Sequence, residues 1–376
     1  MITLILYQLL AIGGGASFVA LVVLLRAGQR RFQPIKQPIE EWPTVSVCIP
    51  VRNETHAMTA CLERVLASDY PKLEVIVLDD DSTDDTPHLI RAFAHAGVRF
   101  VPGKPLPEGW LGKNYALEQL LTEASGRFVL FLDVDTRVAP GTIRQLMARV
   151  VADDMAMASV LPQRYDVWRI STWFGTLRQF WELLLDGRGR PGTASSAWVI
   201  RRTLLLEELG GLSHWADDVQ PERRIATAVA RRGKYQLWIS TPGLGLHYEK
   251  KWRSQIETST RLLFPRLGGS AWGVMLSAGL LLAVVLPQVM IVASAVYGWG
   301  VIGWLSVAVG VMATTVFMLY CRLMWRCCWW LSWLVAPLIA WQELFVLLLS
   351  ALGHHRGTIQ WKGRQISSDG GRWTGS

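Results

Sequence analysis

Two clusters of aspartates follow two apolar segments of the chain, and their spacing suits chemistry on a charged ligand. A run of three aspartates, 79–81, follows the apolar segment 73–78, and Asp133 and Asp135 follow the segment 127–132. Carboxylates this close repel each other unless a cation or hydrogen-bond donors compensate their charge. Two acids spaced two residues apart can both reach one divalent ion, and oxygen ligands suit Mg²⁺ or Mn²⁺. Such an ion also takes substrate phosphates as ligands.

Each cluster also has a simpler explanation. A D-x-D triplet is common in solvated turns, and residues 79–84 can begin a helix, with Ser82 or Thr83 as its cap. The second explanation is compatible with ligand binding, because Ser82 or Thr83 can cap the helix while Asp80 faces a ligand. The position of both clusters at the ends of apolar segments favours a binding site.

The elements that must position these acids alternate along the chain. Apolar, β-rich runs at 45–49, 73–78, 97–101 and 127–132 are separated by helical patterns at 58–68, 86–95 and 114–124. This alternation predicts an α/β fold with right-handed crossovers and a mostly parallel sheet. Ligands of such sheets bind beyond the carboxyl ends of the strands. We therefore expect both acidic clusters to face one crevice.

Five motifs occur in a fixed order. They are V-S-V-C-I-P-V-R-N-E (45–54), L-D-D-D-S-T-D-D-T (78–86), G-K-N-Y-A-L (112–117), L-D-V-D (132–135) and A-D-D-V (216–219). Together they resemble an inverting family 2 glycosyltransferase over roughly residues 44–250. The resemblance implies the GT-A fold, which is α/β, Rossmann-like and mostly parallel. The membrane arrangement and the tail I-Q-W-K-G-R (359–364) are similar to bacterial hopanoid-associated, carotenoid and ceramide-type lipid glycosyltransferases.

The resemblance also implies a donor site. Pro50, Arg52 and Glu54 match the nucleotide loop of the family. Asp80 would accept a hydrogen bond from a uracil ring, which points to a UDP-sugar. Lys113 would lie near the base or the diphosphate.

Roles in catalysis follow from the same matches. Asp133 and Asp135 would hold Mg²⁺ or Mn²⁺ on the donor diphosphate, with Asp133 also close to the nucleotide. Asp218 would be the general base, supported by Asp217, whose like charge would raise the basicity of its neighbour. His247 would be a third metal ligand, and an ordinary histidine at a strand end is an equally good explanation of that residue.

Some positions depart from the family pattern. Asp81 stands where glycine is usual, and Arg52 stands where an aromatic residue is common. The Q-x-x-R-W motif of polymerising and ceramide-type relatives does not occur in that form. Gln255 and Arg261 are the nearest matches, and no tryptophan follows Arg261. This weakens the case for a processive polysaccharide synthase.

An uncharged run, 2–25, begins the chain and is long enough to span a bilayer. No lysine or arginine precedes it, which favours an uncleaved anchor over a signal peptide. Arg26, Arg30, Arg31 and Lys36 follow it directly. The positive-inside rule therefore predicts a multi-pass protein of the cell inner membrane with a cytoplasmic catalytic domain.

Three more apolar runs, 272–296, 299–320 and 329–352, follow the catalytic motifs. Three full spans would place the basic tail outside the cell, against the charge rule. Pro337 and Glu343 interrupt the last run, so we expect a re-entrant segment there, with a third span as the alternative. The sequence leaves this choice open, and it also leaves open the sugar, the lipid, the metal and the oligomeric state.

These patterns predict five regions. They are an anchor (1–26), a linker (27–43), a GT-A domain (44–266), a transmembrane region (267–353) and a basic tail (354–376). Within the domain, apolar residues recur at helical spacing over 167–185, a segment rich in tryptophan and phenylalanine. This stripe predicts a helix that lies in the membrane interface or, equally, packs on the sheet.

Composition narrows the possible functions. The chain of 376 residues is 51% hydrophobic, with a net charge of +8, and its mean hydropathy is +0.25. Its five cysteines form no C-x-x-C pair, which argues against a zinc site and a disulfide scaffold. The basic excess lies beside the apolar runs and no nucleic-acid module occurs, so we expect no nucleic-acid partner.

The predicted function is transfer of a sugar from a nucleotide-sugar to a membrane lipid acceptor at the cytoplasmic face. Two alternatives stay open. One is a processive polysaccharide synthase of the same superfamily. The other is a membrane-tethered nucleotide-sugar binding protein without catalysis, although every acidic position of the motif set is filled.

Overall fold

The computed structural model describes residues 2–35, 39–166, 169–175, 177–187, 189–361, 364–369 and 372–375. The chain divides into two compact units. The helical unit comprises Met1–Gln29, Tyr165–Leu184 and Lys250–Ile359, and the sheet unit comprises Arg30–Arg164, Leu185–Glu249 and Gln360–Ser376. Two segments that the sequence-based boundaries assign to the catalytic domain, 165–184 and 250–266, thus group with the helical unit.

A seven-stranded sheet forms the centre of the sheet unit. Its strands are β1 (Val45–Val51), β2 (Leu73–Asp79), β3 (Val98–Pro102), β4 (Phe128–Leu132), β6 (Met157–Leu161), β8 (Ala197–Arg201) and β9 (Tyr235–Ile239). The strand order is β3-β2-β1-β4-β8-β6-β9. Neighbours pair parallel except at β8, which is antiparallel to both β4 and β6. The predicted mostly parallel α/β sheet is confirmed.

Helices pack on both faces of this sheet, because alternate residues of each strand point to opposite sides. They are α2 (Thr55–Leu66), α3 (Thr86–Ala92), α4 (Gly112–Glu123), α5 (Thr142–Ala152) and α8 (Pro221–Ala230), with shorter helical turns at Ala94–Ala96, Leu204–Glu208 and Ser213–Trp215. Val47 and Ile49 of β1 share one core cluster with Met58 of α2. Cys48, between them, belongs to the opposite cluster with Leu120 of α4.

The register of the central strands brings the acidic clusters to one edge. Asp79, the last residue of β2, lies opposite Val51 of β1. On the other side of β1, the parallel strand β4 ends at Leu132, directly before Asp133. The clusters therefore flank the carboxyl end of β1, as the alternation of strands and helices predicts.

Two smaller sheets complete this unit. One contains β5 (Thr136–Arg137), β7 (Gln163–Arg164) and β10 (His247–Tyr248), in the order β5-β10-β7. The other contains the tail strands β11 (Gln360–Trp361), β12 (Arg364–Asp369) and β13 (Arg372–Gly375). Because β5 follows Asp135 immediately, the first of them joins the second acidic cluster to the strand that carries His247.

Among its described residues, the helical unit contains four helices long and apolar enough to cross a bilayer. They are α1 (Ile2–Gly28), α10 (Ala271–Tyr297), α11 (Val301–Met324) and α12 (Ala336–His355), accompanied by α6 (Ile170–Trp173), α7 (Arg178–Leu184), α9 (Trp252–Arg266) and a 3-10 helix at Trp329–Leu334. One long helix is N-terminal and three are C-terminal, as the apolar runs predict.

The prediction of one continuous helix over 167–185 is wrong. Val167 and Trp168 lie outside the described residues, and the rest forms the two short helices α6 and α7. Gly175 lies between them, and glycine weakens a helix interior. The backbone N–H of Leu177 donates to the Glu343 carboxylate at 3.1 Å, so a side chain of α12 takes the bond that a continuous helix would make.

Buried polar contacts hold α7 within the helical unit. Glu343 of α12 is 1% exposed and accepts hydrogen bonds from the Leu177 N–H and from Trp181 Nε1 at 2.6 Å. Glu182 forms a buried ion pair with Arg266 of α9 at 2.5 Å. A carboxylate inside an apolar unit is costly unless such partners surround it. The segment 165–184 is therefore an integral part of this unit.

Helix α12 ends near the beginning of α10. The Phe264 N–H of α9 donates to Ser350 Oγ at 2.9 Å, and the ring of Phe264 lies 5.3 Å from that of His354. Helix α9 ends at Arg266 and α10 begins at Ala271. Helices α10 and α11 run antiparallel, so α11 also ends near the beginning of α10. Helix α12 begins shortly after that end of α11.

Candidate active site

The loop after β1 is tied to the loop after β2 by hydrogen bonds. The Arg52 guanidinium donates to the carbonyl oxygens of Asp80 and Asp81, the latter at 3.0 Å. The Asn53 N–H donates to Ser82 Oγ and the Glu54 N–H donates to Thr86 Oγ1, both at 2.9 Å. These bonds join two of the predicted nucleotide-binding segments into one structure, with Pro50 at the end of β1.

Asp80 directly follows β2, and its backbone is held by the end of β1. Its N–H donates to the Val51 carbonyl at 2.8 Å, and the residue is only 8% exposed. Asp81 has a φ of 56° and is exposed. Aspartate tolerates this left-handed conformation better than most residues, whereas glycine adopts it freely. The local backbone thus explains why a glycine is usual at position 81 and why an aspartate can replace it.

Asp84 fastens the same loop to the start of α2. Its carboxylate accepts hydrogen bonds from Thr55 Oγ1 at 2.5 Å and from the Thr86 N–H at 3.0 Å. Partial burial acts to raise the pKa of Asp84, but the hydrogen bonds from Thr55 and Thr86 outweigh it and lower the pKa to about 2. The loop after β2 therefore carries a stable negative charge on Asp84, separate from the position of Asp80.

The second acidic cluster is a tight turn between β4 and β5. The Thr136 N–H donates to the Asp133 carbonyl at 2.9 Å, and Val134 is buried in the core. Asp133 and Asp135, on either side of it, stay partly exposed. At the start of α4, Lys113 Nζ lies 2.7 Å from Asp133 Oδ1. The structure thus brings together the predicted Lys113 and Asp133.

The donor set of this cluster fits a divalent ion. The cluster contains the two carboxylates of Asp133 and Asp135, and the Lys113 ammonium lies beside that of Asp133. The strand of His247 pairs with β5, and burial, followed by the charge of Arg64, lowers the pKa of His247 and favours the neutral imidazole that binds metals. Within the described ranges, however, no three His, Cys, Asp or Glu side chains form a metal-binding group. His247 as a third ligand therefore stays a prediction.

Asp218 and Asp217 lie in the loop before α8. Asp218 Oδ1 accepts from the Gln220 N–H and Oδ2 accepts from Arg224 Nε, both at 2.8 Å. The carboxylate of Asp217 is partly exposed and has no hydrogen bond or ion pair to any residue that the structure describes. The two acids thus differ sharply in environment, which their adjacency in the sequence does not reveal.

Two residues near this loop received no role from the sequence. Arg224 pairs with Asp218, and Asn114 donates from its side chain to the loop backbone. Arg224 lies six residues beyond Asp218, which no simple spacing rule detects. Asn114 directly follows Lys113 in the G-K-N-Y motif, and that adjacency was the available signal.

Part of the chain is similar to known proteins. The model of the family described as Glycosyl transferase family 2 matches residues 46–207. A UDP-Glc:alpha-D-GlcNAc-diphosphoundecaprenol beta-1,3-glucosyltransferase of Escherichia coli, WfgD, is 33% identical over 91 residues, which are 24% of this chain and 34% of that protein. A probable glycosyltransferase of Bacillus subtilis, YdaM, is 29% identical over 36% of this chain and 35% of its own. The chain thus matches about a third of the length of these relatives.

Among solved structures, a mannosyltransferase from Pyrobaculum calidifontis in complex with GDP-Man and Mn²⁺ is similar over most of the chain. The match covers 93% of this chain and 98% of the other, with a TM-score of 0.58 and 19% identity. At 19% identity this similarity concerns the fold alone. Because it covers 93% of the chain, the similarity of fold extends beyond residues 46–207.

Proposed function

We propose that the protein, whose residues 46–207 match the Glycosyl transferase family 2 model, transfers a sugar from a nucleotide-sugar to a membrane lipid, with inversion at the anomeric carbon. The observation that carries the proposal is the convergence at the carboxyl end of β1. Asp80 lies on one side of that strand, and Asp133, paired with Lys113 at 2.7 Å, lies on the other. A nucleoside diphosphate needs both a polar site for its base and a cationic site for its phosphates.

The donor would bind across this edge. Asp80, held by the Val51 carbonyl, would accept a hydrogen bond from the base, and Pro50, Arg52 and Glu54 would shape the loop around it. UDP-glucose is the donor named for WfgD, and the Pyrobaculum structure holds GDP-Man. A UDP-sugar is the donor that we propose, because Asp80 matches the family position that contacts uracil.

Asp133 and Asp135 would hold Mg²⁺ or Mn²⁺, which when bound neutralises the charge of the departing diphosphate. Lys113 adds a positive charge beside Asp133 and keeps this acidic turn from repelling the phosphates. The likeness to a Mn²⁺ complex supports this assignment at the level of the fold.

Asp218 would act as the general base. As the acceptor hydroxyl oxygen forms its bond to the anomeric carbon, its proton passes to the Asp218 carboxylate, and the bond between that carbon and the diphosphate oxygen breaks. The ion pair with Arg224, at 2.8 Å, orients the Asp218 carboxylate before the reaction. Asp217 would support its neighbour electrostatically.

The acceptor would be a lipid at the cytoplasmic face of the inner membrane. Four apolar helices support a membrane location, and two relatives act, by name, on diphosphoundecaprenol and PP-undecaprenol acceptors. The contact of α12 with the end of α9 supports a re-entrant α12, because both ends of that segment would then lie at one face of the membrane. The basic tail would stay at the same membrane face as Arg26.

The test is transfer by the full chain in lipid nanodiscs. Labelled UDP- and GDP-sugars are supplied with a bacterial lipid extract and Mn²⁺ or Mg²⁺, and the organic phase is analysed by mass spectrometry. We expect label in a single glycolipid from one donor, and its loss in Asp133→Asn. Ser46→Ala is the matched control, because Ser46 is buried at the opposite edge of the sheet. Label in a polymer, or in no product with any donor, would contradict the proposal.

A further inference from the structure

Helix α4 presents two polar side chains, one turn apart, to the segment that carries the A-D-D motif. Glu118 Oε2 accepts from the Leu212 N–H at 2.6 Å. Asn114 Nδ2 lies 3.0 Å from the carbonyl oxygens of Trp215 and Ala216 and 2.8 Å from that of Asp218. Residues four apart share a helix face, so one face of α4 holds the whole segment 211–218.

Each side chain matches the backbone group that it meets. The three carbonyls belong to the last residue of the 3-10 turn Ser213–Trp215, to its cap Ala216 and to Asp218 in the loop that follows. Asn114 is 2% exposed, and its amide is the donor that the structure gives the Asp218 carbonyl, whereas the Trp215 carbonyl also accepts from the Asp218 N–H at 3.1 Å and the Ala216 carbonyl from the Leu111 N–H at 2.9 Å. At the other end of the segment, Gly211 has a φ of 72°, and a Cβ there would lie 2.6 Å from the Glu118 carboxylate oxygens. The positive φ therefore favours a glycine at position 211, and any larger residue would also displace the Glu118 carboxylate from the Leu212 N–H.

The preceding residue of α4 serves the other acidic cluster. Lys113 contacts Asp133, while Asn114 contacts the backbone of Asp218. One helix start thus fixes both the phosphate side and the acceptor side of the site. We propose that Asn114 is a positioning residue, which sets the place of Asp218 relative to the Asp133 turn. This inference rests on the function proposed above for Asp218.

The carboxylate of Asp218 is held separately from its backbone. Gln220 N–H and Arg224 Nε orient the two oxygens, whereas Asn114 fixes the carbonyl of the same residue. Removing the amide of Asn114 leaves the carboxylate chemistry intact and changes only its location. A displacement near 1 Å can cost about 10²-fold in rate.

The experiment compares Asn114→Ala and Asn114→Ser with Ser46→Ala. The serine keeps one donor, and Ser46→Ala removes two other hydrogen bonds, one from the Gly126 N–H at 2.8 Å and one to the Glu74 carboxylate at 2.5 Å. We expect transfer kcat to fall by about 10-fold to 10²-fold in Asn114→Ala and less in Asn114→Ser, with UDP affinity changed less than about twofold. Ser46→Ala should lower the melting temperature without this loss of kcat.

A double-mutant cycle separates positioning from general destabilisation. In the Asp218→Asn background, Asn114→Ala should lower residual kcat by less than about twofold, because its effect acts through Asp218. An equal fold-loss in both backgrounds, or full kcat in Asn114→Ala, would overturn the proposal. If Asn114→Ala no longer binds UDP, the loss of kcat in the wild-type and Asp218→Asn backgrounds is compared for Asn114→Ser instead, with the same expected and contrary results. Absence of transfer by the wild-type chain would instead refute the proposed function itself.

Discussion

Replacing Asp218 with asparagine tests the general base most directly. Both oxygens of Asp218 accept hydrogen bonds, one from the Gln220 N–H and one from Arg224 Nε, each at 2.8 Å. An asparagine offers one oxygen and one amide group. Its amide must therefore face one of these two donors, so one hydrogen bond is lost whichever way the side chain turns.

The two contacts allow the loss of stability to be bounded. The side chain of Arg224 is 66% exposed, so its ion pair contributes about 0–1 kcal/mol. The Gln220 contact resembles a helix cap, which is worth about 1 kcal/mol. Asp218→Asn should therefore destabilise the protein by about 1 kcal/mol, against the roughly 5–15 kcal/mol of a typical domain. The variant should stay folded.

The loss of activity should be much larger than this. General-base catalysis contributes about 10²–10⁴-fold, which corresponds to about 3–5 kcal/mol in the transition state. Asp217→Asn is the paired control, since the Asp217 carboxylate has no hydrogen bond within the described part of the chain. That variant should keep its melting temperature and lose less activity.

Initial transfer rates at saturating donor, UDP affinity and thermal unfolding would be measured for both variants. UDP affinity should stay nearly constant in each. If Asp217→Asn is inactive while Asp218→Asn keeps most of its activity, the base is Asp217, and Asp218 only holds the loop before α8 through Gln220 and Arg224. If both variants are fully active, the A-D-D motif is structural and the base lies elsewhere.

Four other outcomes are expected. EDTA should abolish transfer, and Mn²⁺ or Mg²⁺ should restore it in the wild-type chain but not in Asp135→Ala; full activity in EDTA would contradict the metal assignment. Asp81→Gly should keep its melting temperature, while Asp81→Val should be destabilised by about 1–2 kcal/mol, because of the φ of 56°. Glu343→Ala should destabilise the protein in detergent by about 1–3 kcal/mol, since it leaves the donors of Leu177 and Trp181 without an acceptor, and Glu343→Gln should lose less. A cysteine at Ser376 should resist labelling from outside intact cells, whereas external labelling would mean that α12 spans the membrane.

Much of the sheet could be predicted because β1, β2 and β4 are largely buried and end at or directly before charged residues, whereas β3 is a more exposed strand at the side of the sheet. The strands β1, β2, β3 and β4 begin and end within a few residues of the predicted runs. The direction of β8 could not be predicted in the same way. Its residues, A-W-V-I-R, form an apolar run like that of a parallel strand, and direction depends on the path of the chain between strands.

The site shows a similar division. Asp80 and Asp133 follow strands, so the topology alone brings them to one edge. Asn114 and Asp218 are 104 residues apart, and their contact depends on how α4 packs. The break before α7 is also unpredictable from local pattern, because Leu177 donates to a carboxylate 166 residues away.

Glu343 has a consequence for how the chain is made. Its carboxylate is buried against the Leu177 N–H and Trp181, which are synthesised long before α12. A helix with an ionisable residue near its middle enters a bilayer poorly by itself, because the charge lacks partners there. In the membrane location proposed above, the Leu177 N–H and Trp181 Nε1 therefore meet their acceptor only after α12 has been synthesised. The helical unit would then close as a single late step of biogenesis, and chains truncated before α12 should be recognised and degraded.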